Sequence, residues 1–152
     1  MKVAIGSDHA GYDLKKIVIE LLEEKKIDYK DFGTYDLESC DYSDYAILVS
    51  ENVAKGNFDR GILICGTGIG MCIASNKVKG IRAALVENIY SARMTREHNN
   101  TNILCLGGRV IGQEIAKEIV EIWLRTDFTY GKHEKRIGKI TAYENLINNM
   151  EE

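Results

Sequence analysis

Two kinds of hydrophobic block alternate along this chain. Short apolar runs, typical of buried strands, are separated by longer stretches in which apolar residues recur every three or four positions, as on one face of a helix. Residues 11–25 show the clearest helical spacing, with polar residues such as Asp13 and Lys15 expected to face solvent. The pattern predicts strands at 2–6, 29–32, 61–65, 82–86 and 102–107, and helices at 11–25, 45–55, 69–76, 88–98, 111–124 and 133–150.

Five strands that alternate with helices predict an α/β fold, in which a parallel sheet is covered by helices on both faces. Right-handed crossovers place the carboxyl ends of all strands at one edge, where the ligands of such sheets bind. Polar residues directly follow three strands, at Asp8–His9, Cys65–Thr67 and Gly107–Arg109. We therefore expect the chemistry at this edge. Because both faces are already covered, we expect the last helix to reach another subunit.

The composition limits the classes of function that are expected for this chain. A chain of 152 residues, 45% hydrophobic and 28% charged, fits one globular domain over residues 1–152. The net charge of −3 gives no reason to expect nucleic acid or a membrane surface as a partner. Basic residues near the end of the chain lie among acidic neighbours, and their charge alone predicts a solvated face. These residues are Lys132, Lys135, Arg136 and Lys139.

The apolar segments and the cysteines indicate in which cellular compartment the protein is expected. No apolar segment approaches the roughly 20 residues that cross a bilayer, and the first six residues are too short an apolar run for a signal peptide. The four cysteines form neither a CxxC pair nor the spacing of a zinc site. Reduced thiols fit the cytoplasm best, so we expect a cytoplasmic protein.

The most informative motif is the glycine-rich loop Gly66–Gly70, which joins an apolar strand to a segment that can open a helix. Main-chain N–H groups at such a junction favour a bound anion. The loop lacks the Gly-Lys-Ser/Thr of a P-loop, and Met71 and Ile73 stand where a dinucleotide fingerprint would have its third glycine. A tight turn would need only one glycine. Three glycines in five residues favour a ligand that approaches the main chain closely.

Cys65 stands at the entrance to this loop. A cysteine in an apolar strand is more often a small hydrophobic residue of the core, but a helix N-terminus stabilises a neighbouring thiolate. Two interpretations of Cys65 therefore stay open, a buried apolar residue and a nucleophile or base. Cys72 and Cys105 lie in apolar stretches and are expected in the core, whereas Cys40 lies in a polar loop and is expected to have no role.

Two histidines and two arginines complete the set of candidates. Asp8 can cap the helix that follows it, whereas His9 ends a strand and is a candidate acid, base or phosphate contact. His98 ends a helix, where it can serve in catalysis or interact with the helix dipole. Planar guanidinium groups that could pair with a phosphate are those of Arg109 and Arg136.

These motifs occur in the order found in one enzyme family. Gly6–Gly11, Cys65–Gly70, Asn76–Ala84, His98–Asn99 and Gly131–Arg136 together resemble type B ribose-5-phosphate isomerase, and the resemblance covers essentially the whole chain. The broader family also contains allose-6-phosphate and galactose-6-phosphate isomerases. The resemblance implies a Rossmann-like three-layer fold with a five-stranded parallel sheet. It also implies a homodimer or a dimer of dimers, with the site between subunits and with no metal or cofactor.

The resemblance implies catalytic roles as well. Cys65 would be the base that moves a proton between C2 and C1 of an open-chain sugar phosphate, through a cis-enediol. His98 and Asp8 would assist the opening of the sugar ring, and Thr67 would contact the reacting oxygens. The main chain of the loop would stabilise the enediolate, through Gly66, Thr67, Gly68, Ile69 and Gly70.

The same resemblance implies a phosphate site. His9, Lys132 and Arg136 would hold the phosphate, with Asn99 and Arg109 reaching it from the partner subunit. The family pattern has an arginine where Lys132 stands. A lysine keeps the charge but loses the bidentate fork, which bears on substrate choice more than on reaction type.

The favoured expectation is reversible isomerisation of ribose 5-phosphate and ribulose 5-phosphate, a step of the pentose phosphate pathway, with allose 6-phosphate or free allose as side activities. Galactose-6-phosphate isomerase is the nearest alternative, in which two different subunits share the work. A binding module without catalysis would explain the glycine loop but not the cysteine beside it. Thiol redox chemistry lacks a CxxC partner, although Cys72 is near Cys65 in sequence.

Overall fold

A computed structural model of the chain describes residues 1–148, and within that range strands and helices follow one another in the predicted order. The strands are β1 (Lys2–Ser7), β2 (Asp28–Asp31), β3 (Arg60–Cys65), β4 (Ala83–Leu85) and β5 (Ile103–Gly107). The helices are α1 (Tyr12–Glu24), α2 (Tyr42–Ala54), α3 (Ile69–Ser75), α4 (Ile89–Asn99), α5 (Gln113–Arg125) and α6 (Lys132–Asn148).

The largest difference in a boundary is at α2, which begins at Tyr42 rather than at the predicted residue 45. The residue before the helix, Asp41, is extended, and Asp44 lies in the first turn. An acidic side chain is favourable there because it interacts with the positive end of the helix dipole. The last two residues of the helix predicted at 133–150 lie outside the described residues.

All five strands are parallel, and their order in the sheet is β2-β1-β3-β5-β4. The register pairs Ser7 of β1 with Ile64 of β3, and Cys65 of β3 with Gly107 of β5. The carboxyl ends of the three central strands therefore lie side by side. The predicted α/β sheet is confirmed, and the three polar segments that follow β1, β3 and β5 leave from one edge.

The core has two parts, one on each face of the sheet. Successive side chains of a strand point to opposite faces, so Ile62 and Ile64 pack with α1 and α5, while Leu63 and Cys65 pack with α2 and α3. Trp123 of α5 is the largest fully buried side chain. This arrangement confirms the three-layer, Rossmann-like architecture and turns Cys65 toward the α2 and α3 layer.

Lys15 does not face solvent, so that prediction is wrong. Its side chain is 1% exposed, and its Nζ lies 2.7 Å and 2.8 Å from the two carboxylate oxygens of Asp31. The Nζ also donates to the main-chain oxygen of Thr34. A buried charge is stable only when it is paired and hydrogen-bonded, and this lysine has partners that lie far from it in sequence.

The last helix, α6, packs against α4 rather than on the sheet. Ile140, Tyr143 and Leu146 are exposed large apolar side chains along it. Contact of this helix with a partner subunit stays a prediction. Within residues 1–148, no helix is both long and apolar enough to span a membrane.

Candidate active site

A pocket of about 240 Å³ opens at the carboxyl edge of the sheet, where β1, β3 and β5 end. Another cavity of about 240 Å³ lies between α1 and α5, but its walls are mainly apolar and its Glu121 is paired with Lys25. The first pocket holds the candidate chemistry. Its lining residues are Asp8, His9, Ala10, Tyr42, Cys65, Gly66, Thr67, Gly70 and Arg109.

Cys65 contributes a sulfur atom that is held by the main chain. Its Sγ accepts a hydrogen bond from the N–H of Gly68 at 3.1 Å. Gly68 has a φ of +76°, and a Cβ there would lie 2.6 Å from the side chain of Leu85, so no other residue fits without displacement. The hydrogen bond and the restricted position of Gly68 fix the Cys65 sulfur at the start of the loop, within the pocket.

The glycine loop also presents donors to the pocket. The N–H groups of Gly66 and Thr67 meet no protein acceptor among residues 1–148, and the hydroxyl of Thr67 accepts from the N–H of Ile69 at 3.3 Å. Amides of this kind can donate to an oxyanion that forms next to the sulfur.

Tyr42 is a wall of the pocket that the sequence pattern did not reveal. Its ring lies so close to Gly70 that a Cβ on this glycine would be 2.6 Å from the ring. Tyr42 was overlooked because helix α2 was predicted to begin after it. A helix start drawn at Asp41, from its cap position and the acidic first turn, would have placed Tyr42 near the sheet edge.

Asp8 lines the pocket but does not cap α1 in the predicted manner. The N-cap residue is Gly11, which makes no side-chain cap bond, and the Oδ1 of Asp8 accepts from the N–H of Gly11 at 3.0 Å. A Cβ on Gly11 would lie 2.2 Å from the main-chain oxygen of Ile64. The turn between β1 and α1 therefore packs directly on β3, and this contact brings Asp8 next to Cys65.

His9 lies half-buried in the same pocket and contacts a residue that was expected to have no role. Its Nδ1 accepts a hydrogen bond from the main-chain N–H of Cys40 at 3.2 Å, and the Sγ of Cys40 lies 3.9 Å from the same nitrogen. Cys40 is thus in contact with a pocket residue, a fact that composition could not indicate.

Arg109 lines the pocket of its own chain, and the expectation that it also reaches the site of a partner subunit stays a prediction. Its N–H donates to the main-chain oxygen of Gly66 at 3.0 Å. Its Nη1 would be 3.7 Å from a Cβ built on Gly66. The register that pairs Gly107 with Cys65 explains this position, because Arg109 follows β5 by two residues.

The structure does not bring His98, Asn99, Lys132 or Arg136 into the pocket of their own chain. Helix α4 ends at Asn99, just before the amino end of β5, whereas Cys65 pairs with Gly107 at the carboxyl end. Five residues of strand separate these ends by about 13 Å.

These four residues form a second group around the start of α6. The imidazole ring of His98 stacks on that of His133, with centroids 4.1 Å apart and planes 9° apart. Partial removal from water lowers the pKa of His133, and the nearby charges of His98, Lys132 and Arg136 lower it further. The group therefore sets the cationic side chains of Lys132 and Arg136 beside the stacked histidines.

Cys72 is half-buried rather than a core residue and lies outside the pocket. A hydrogen bond with the thiol of Cys105 lowers the pKa of Cys72 to about 6, and the amide of Asn76 contributes in the same direction. Burial raises the pKa of Cys105. All four cysteines are free thiols. Among residues 1–148, no cluster of three or more His, Cys, Asp or Glu side chains is suited to a metal ion.

The fold and the pocket together define an α/β protein with a small-molecule site at the carboxyl edge of its sheet. Comparison with known proteins then identifies its family. The family model described as Ribose/Galactose Isomerase matches residues 3–140. The chain belongs to this family of sugar isomerases, as the resemblance predicted.

Individual relatives agree with this assignment. The chain is 57% identical over 145 residues to a putative sugar phosphate isomerase, YwlF, of Bacillus subtilis, covering 95% of this chain and 97% of the relative. It is 46% identical over 147 residues to ribose-5-phosphate isomerase B of Escherichia coli, covering 97% and 99%. The solved structure of ribose-5-phosphate isomerase B from Clostridium thermocellum superposes with a TM-score of 0.95 at 51% identity, covering 97% of this chain and 99% of that one.

Two further matches bear on the substrate. A solved structure from Mycoplasma genitalium, 44% identical with a TM-score of 0.92, is a ribose-5-phosphate isomerase B with bound ribulose 5-phosphate and covers 95% of this chain and 96% of that one. A relative from Pectobacterium atrosepticum, 44% identical over 146 residues and covering 95% of both chains, is a D-erythrulose-4-phosphate isomerase. The family therefore includes members named for different sugar phosphates.

Proposed function

We propose that this chain interconverts ribose 5-phosphate and ribulose 5-phosphate, with Cys65 as the base. The observation that carries the proposal is the position of the Cys65 sulfur. It accepts the Gly68 N–H at 3.1 Å and shares a pocket with loop amides and the basic side chains of His9 and Arg109. The ribose-5-phosphate isomerase B relatives support the choice of substrate.

The geometry suggests the following proton transfers. The thiolate of Cys65 takes the proton from C2 of the open-chain aldose, and the electrons of that bond form the enediolate with O1 negative. The N–H groups of Gly66 and Thr67 donate to this oxyanion as it develops. The thiol then returns its proton to C1, the hydroxyl proton of O2 passes to O1, and the C2 carbonyl of the ketose forms. We propose that Asp8, which lines the same pocket, assists ring opening before these steps.

The phosphate is the second part of the substrate to be recognised. Among the residues that line the pocket, Arg109 offers a guanidinium fork and His9 an imidazole N–H. Neither Lys132 nor Arg136 reaches this pocket in its own chain, and both are exposed near the start of α6. We infer that they contribute to a phosphate site in a second copy of the chain.

The same argument supports a homodimer with a composite site. His98 lies about 13 Å or more along the sheet from Cys65, which is too far for both groups to act on one sugar. In a twofold dimer each surface meets its equivalent, so two composite sites form together. The exposed apolar side chains of α6 give that helix a surface which a second subunit can bury.

The test is the rate of ribulose 5-phosphate formation from ribose 5-phosphate by the purified chain in excess EDTA. Rapid turnover in wild type and loss of at least a hundredfold in Cys65→Ala are expected, because a positioned acid–base group contributes about 10²–10⁴-fold. Cys72→Ala is the matched control, since that thiol lies on α3 outside the pocket, and it should retain activity. Unchanged turnover in Cys65→Ala would refute the thiol-base mechanism.

The competing interpretation of a binding module is decided by the same variant. An isomerase without its base keeps affinity for ribose 5-phosphate while it loses turnover, whereas a module without catalysis shows no turnover in either form. A second candidate substrate is D-erythrulose 4-phosphate, which the Pectobacterium relative's name supports. Assays with that compound and with allose 6-phosphate and galactose 6-phosphate, under identical conditions, rank the substrates by kcat/KM.

A further inference from the structure

Lys15 was expected to lie on the solvent face of α1. Its charge is instead fully buried, close to the edge of the sheet. Its Nζ contacts both carboxylate oxygens of Asp31 at 2.7 Å and 2.8 Å and the main-chain oxygen of Thr34 at 2.5 Å. The rings of Tyr12 and Tyr35 lie 5.6 Å and 5.2 Å from the same nitrogen. A lysine buried to this extent is costly unless its partners hold it, so the contacts fix the segment that carries those partners.

The segment that Lys15 holds is the start of the β2–α2 loop, residues 31–34. Asp31 Oδ1 also accepts from the N–H of Gly33 at 2.9 Å. The loop is bonded to the end of β1 through two main-chain hydrogen bonds of 2.6 Å, one from the N–H of Ser7 to Gly33 and one from the N–H of Thr34 to Ser7. Ser7 immediately precedes Asp8 and His9. The Lys15–Asp31 pair therefore joins α1, the loop and the segment that enters the pocket.

The same loop then makes contact with His9. The main-chain N–H of Cys40 donates to Nδ1 of His9 at 3.2 Å. A main-chain N–H can only donate, so Nδ1 must be the unprotonated nitrogen and Nε2 carries the hydrogen of the neutral ring. The loop therefore selects one tautomer of His9, the one whose Nε2–H is left to donate to a ligand in the pocket.

We propose that Lys15 is a positioning residue, which through its pair with Asp31 holds the β2–α2 loop so that Cys40 keeps His9 as the Nε2–H tautomer facing the phosphate. Only the last part of this inference, the contact of His9 with a phosphate, rests on the proposed function. The steps before it concern the protein without substrate, so they can be tested separately.

The first test measures the tautomer without substrate. The ring nitrogens of the protein's three histidines are labelled with ¹⁵N, and His9→Asn identifies the His9 signals. In wild type, the neutral His9 ring should show one protonated Nε2 and one unprotonated Nδ1. Lys15→Met should show a mixture of tautomers, and Asp31→Asn, which keeps the side-chain shape, should show the same change if Lys15→Met does not fold.

Two controls make the tautomer test specific. Lys16→Met removes the neighbouring lysine, which is half-exposed and paired with Asp13 at 2.9 Å, and it should leave the His9 signals unchanged. Cys40→Ala removes the sulfur but keeps the main-chain donor, so it should also leave the tautomer unchanged. A wild-type His9 protonated on Nδ1, or a folded Lys15→Met protein with the wild-type tautomer, would overturn the proposal.

The second test is kinetic and uses ribose 5-phosphate. A group that binds the phosphate equally in ground and transition states affects KM rather than kcat. Lys15→Met should therefore raise KM about tenfold, the effect of losing about one hydrogen bond to a charged group, with kcat within about twofold of wild type. Lys16→Met should match wild type. A changed tautomer with an unchanged KM would remove His9 from the proposed phosphate site while leaving its positioning by Lys15 intact.

Discussion

Two inactive variants of this chain should restore activity when they share a dimer. The variants are Cys65→Ala, which removes the proposed base, and His98→Asn, which removes the proposed ring-opening group. Cys65 lies at the carboxyl end of β3 and His98 at the end of α4, near the amino end of β5. The length of β5 places about 13 Å between these ends of the sheet. In the proposed homodimer, one composite site would therefore take Cys65 from one subunit and His98 from the other.

The expected recovery of activity follows from counting the sites that keep both native residues. Random pairing of the two variants in equal amounts gives about half mixed dimers. Each mixed dimer has one site with both native residues and one site with neither, so about a quarter of the wild-type activity should return. Each variant alone should fall to about 1% or less, because a positioned acid–base group contributes about 10²–10⁴-fold.

The assay mixes the variants in denaturant, refolds them together and measures ribulose 5-phosphate formation at fixed total protein. A matched control mixes wild type with the double variant Cys65→Ala/His98→Asn. With composite sites this mixture should retain about a quarter of wild-type activity, and with sites complete in one chain it should retain about half. If the two single variants together show only the sum of their separate activities while the control mixture retains half, the composite site is refuted.

Three further predictions concern stability and protonation. Gly11→Ala should destabilise the fold by about 3 kcal/mol or more in denaturant titration, since a Cβ would lie 2.2 Å from the oxygen of Ile64. Thr101→Val should cost about 1–3 kcal/mol by the same method, because the buried indole N–H of Trp123 loses its acceptor at 2.9 Å. His133 should titrate below the ordinary value of 6.5 in NMR, because partial desolvation and then neighbouring charges lower its pKa. The unfolded chain then binds that proton more readily, so this residue's contribution to stability decreases as the pH falls below about 6.5.

Each of these predictions has a control within the chain. Gly112→Ala has open space around the added Cβ and a negative φ, and it should change stability by less than about 1 kcal/mol. Thr101→Ser keeps the hydroxyl acceptor and should retain most of the stability lost in the valine variant. Lys132→Met removes one of the charges near His133 and should raise its pKa toward the ordinary value. An unshifted His133 in wild type would contradict the proposed cationic group.

Local patterns were enough to predict the sheet, the order of its elements and the glycine loop beside Cys65. Strand and helix periodicities are properties of neighbouring residues. Gly66 to Gly70 are consecutive in sequence, so they form one loop in space without any long-range contact. The parallel arrangement then followed from the alternation of strands and helices. The register that aligns Cys65 with Gly107 is what places the segments after β3 and β5 side by side.

Contacts between residues that are distant in sequence were decided by the tertiary structure alone. Lys15 meets Asp31 across 16 positions and His9 meets Cys40 across 31, so no window of local sequence contains either pair. Arg109 enters its own pocket because β5 lies next to β3, an adjacency that helical and strand periods do not encode. The sequence by itself determined the elements and the motif, since these depend on short-range stereochemistry and burial. The partners of each charged side chain depended on how the whole chain packs.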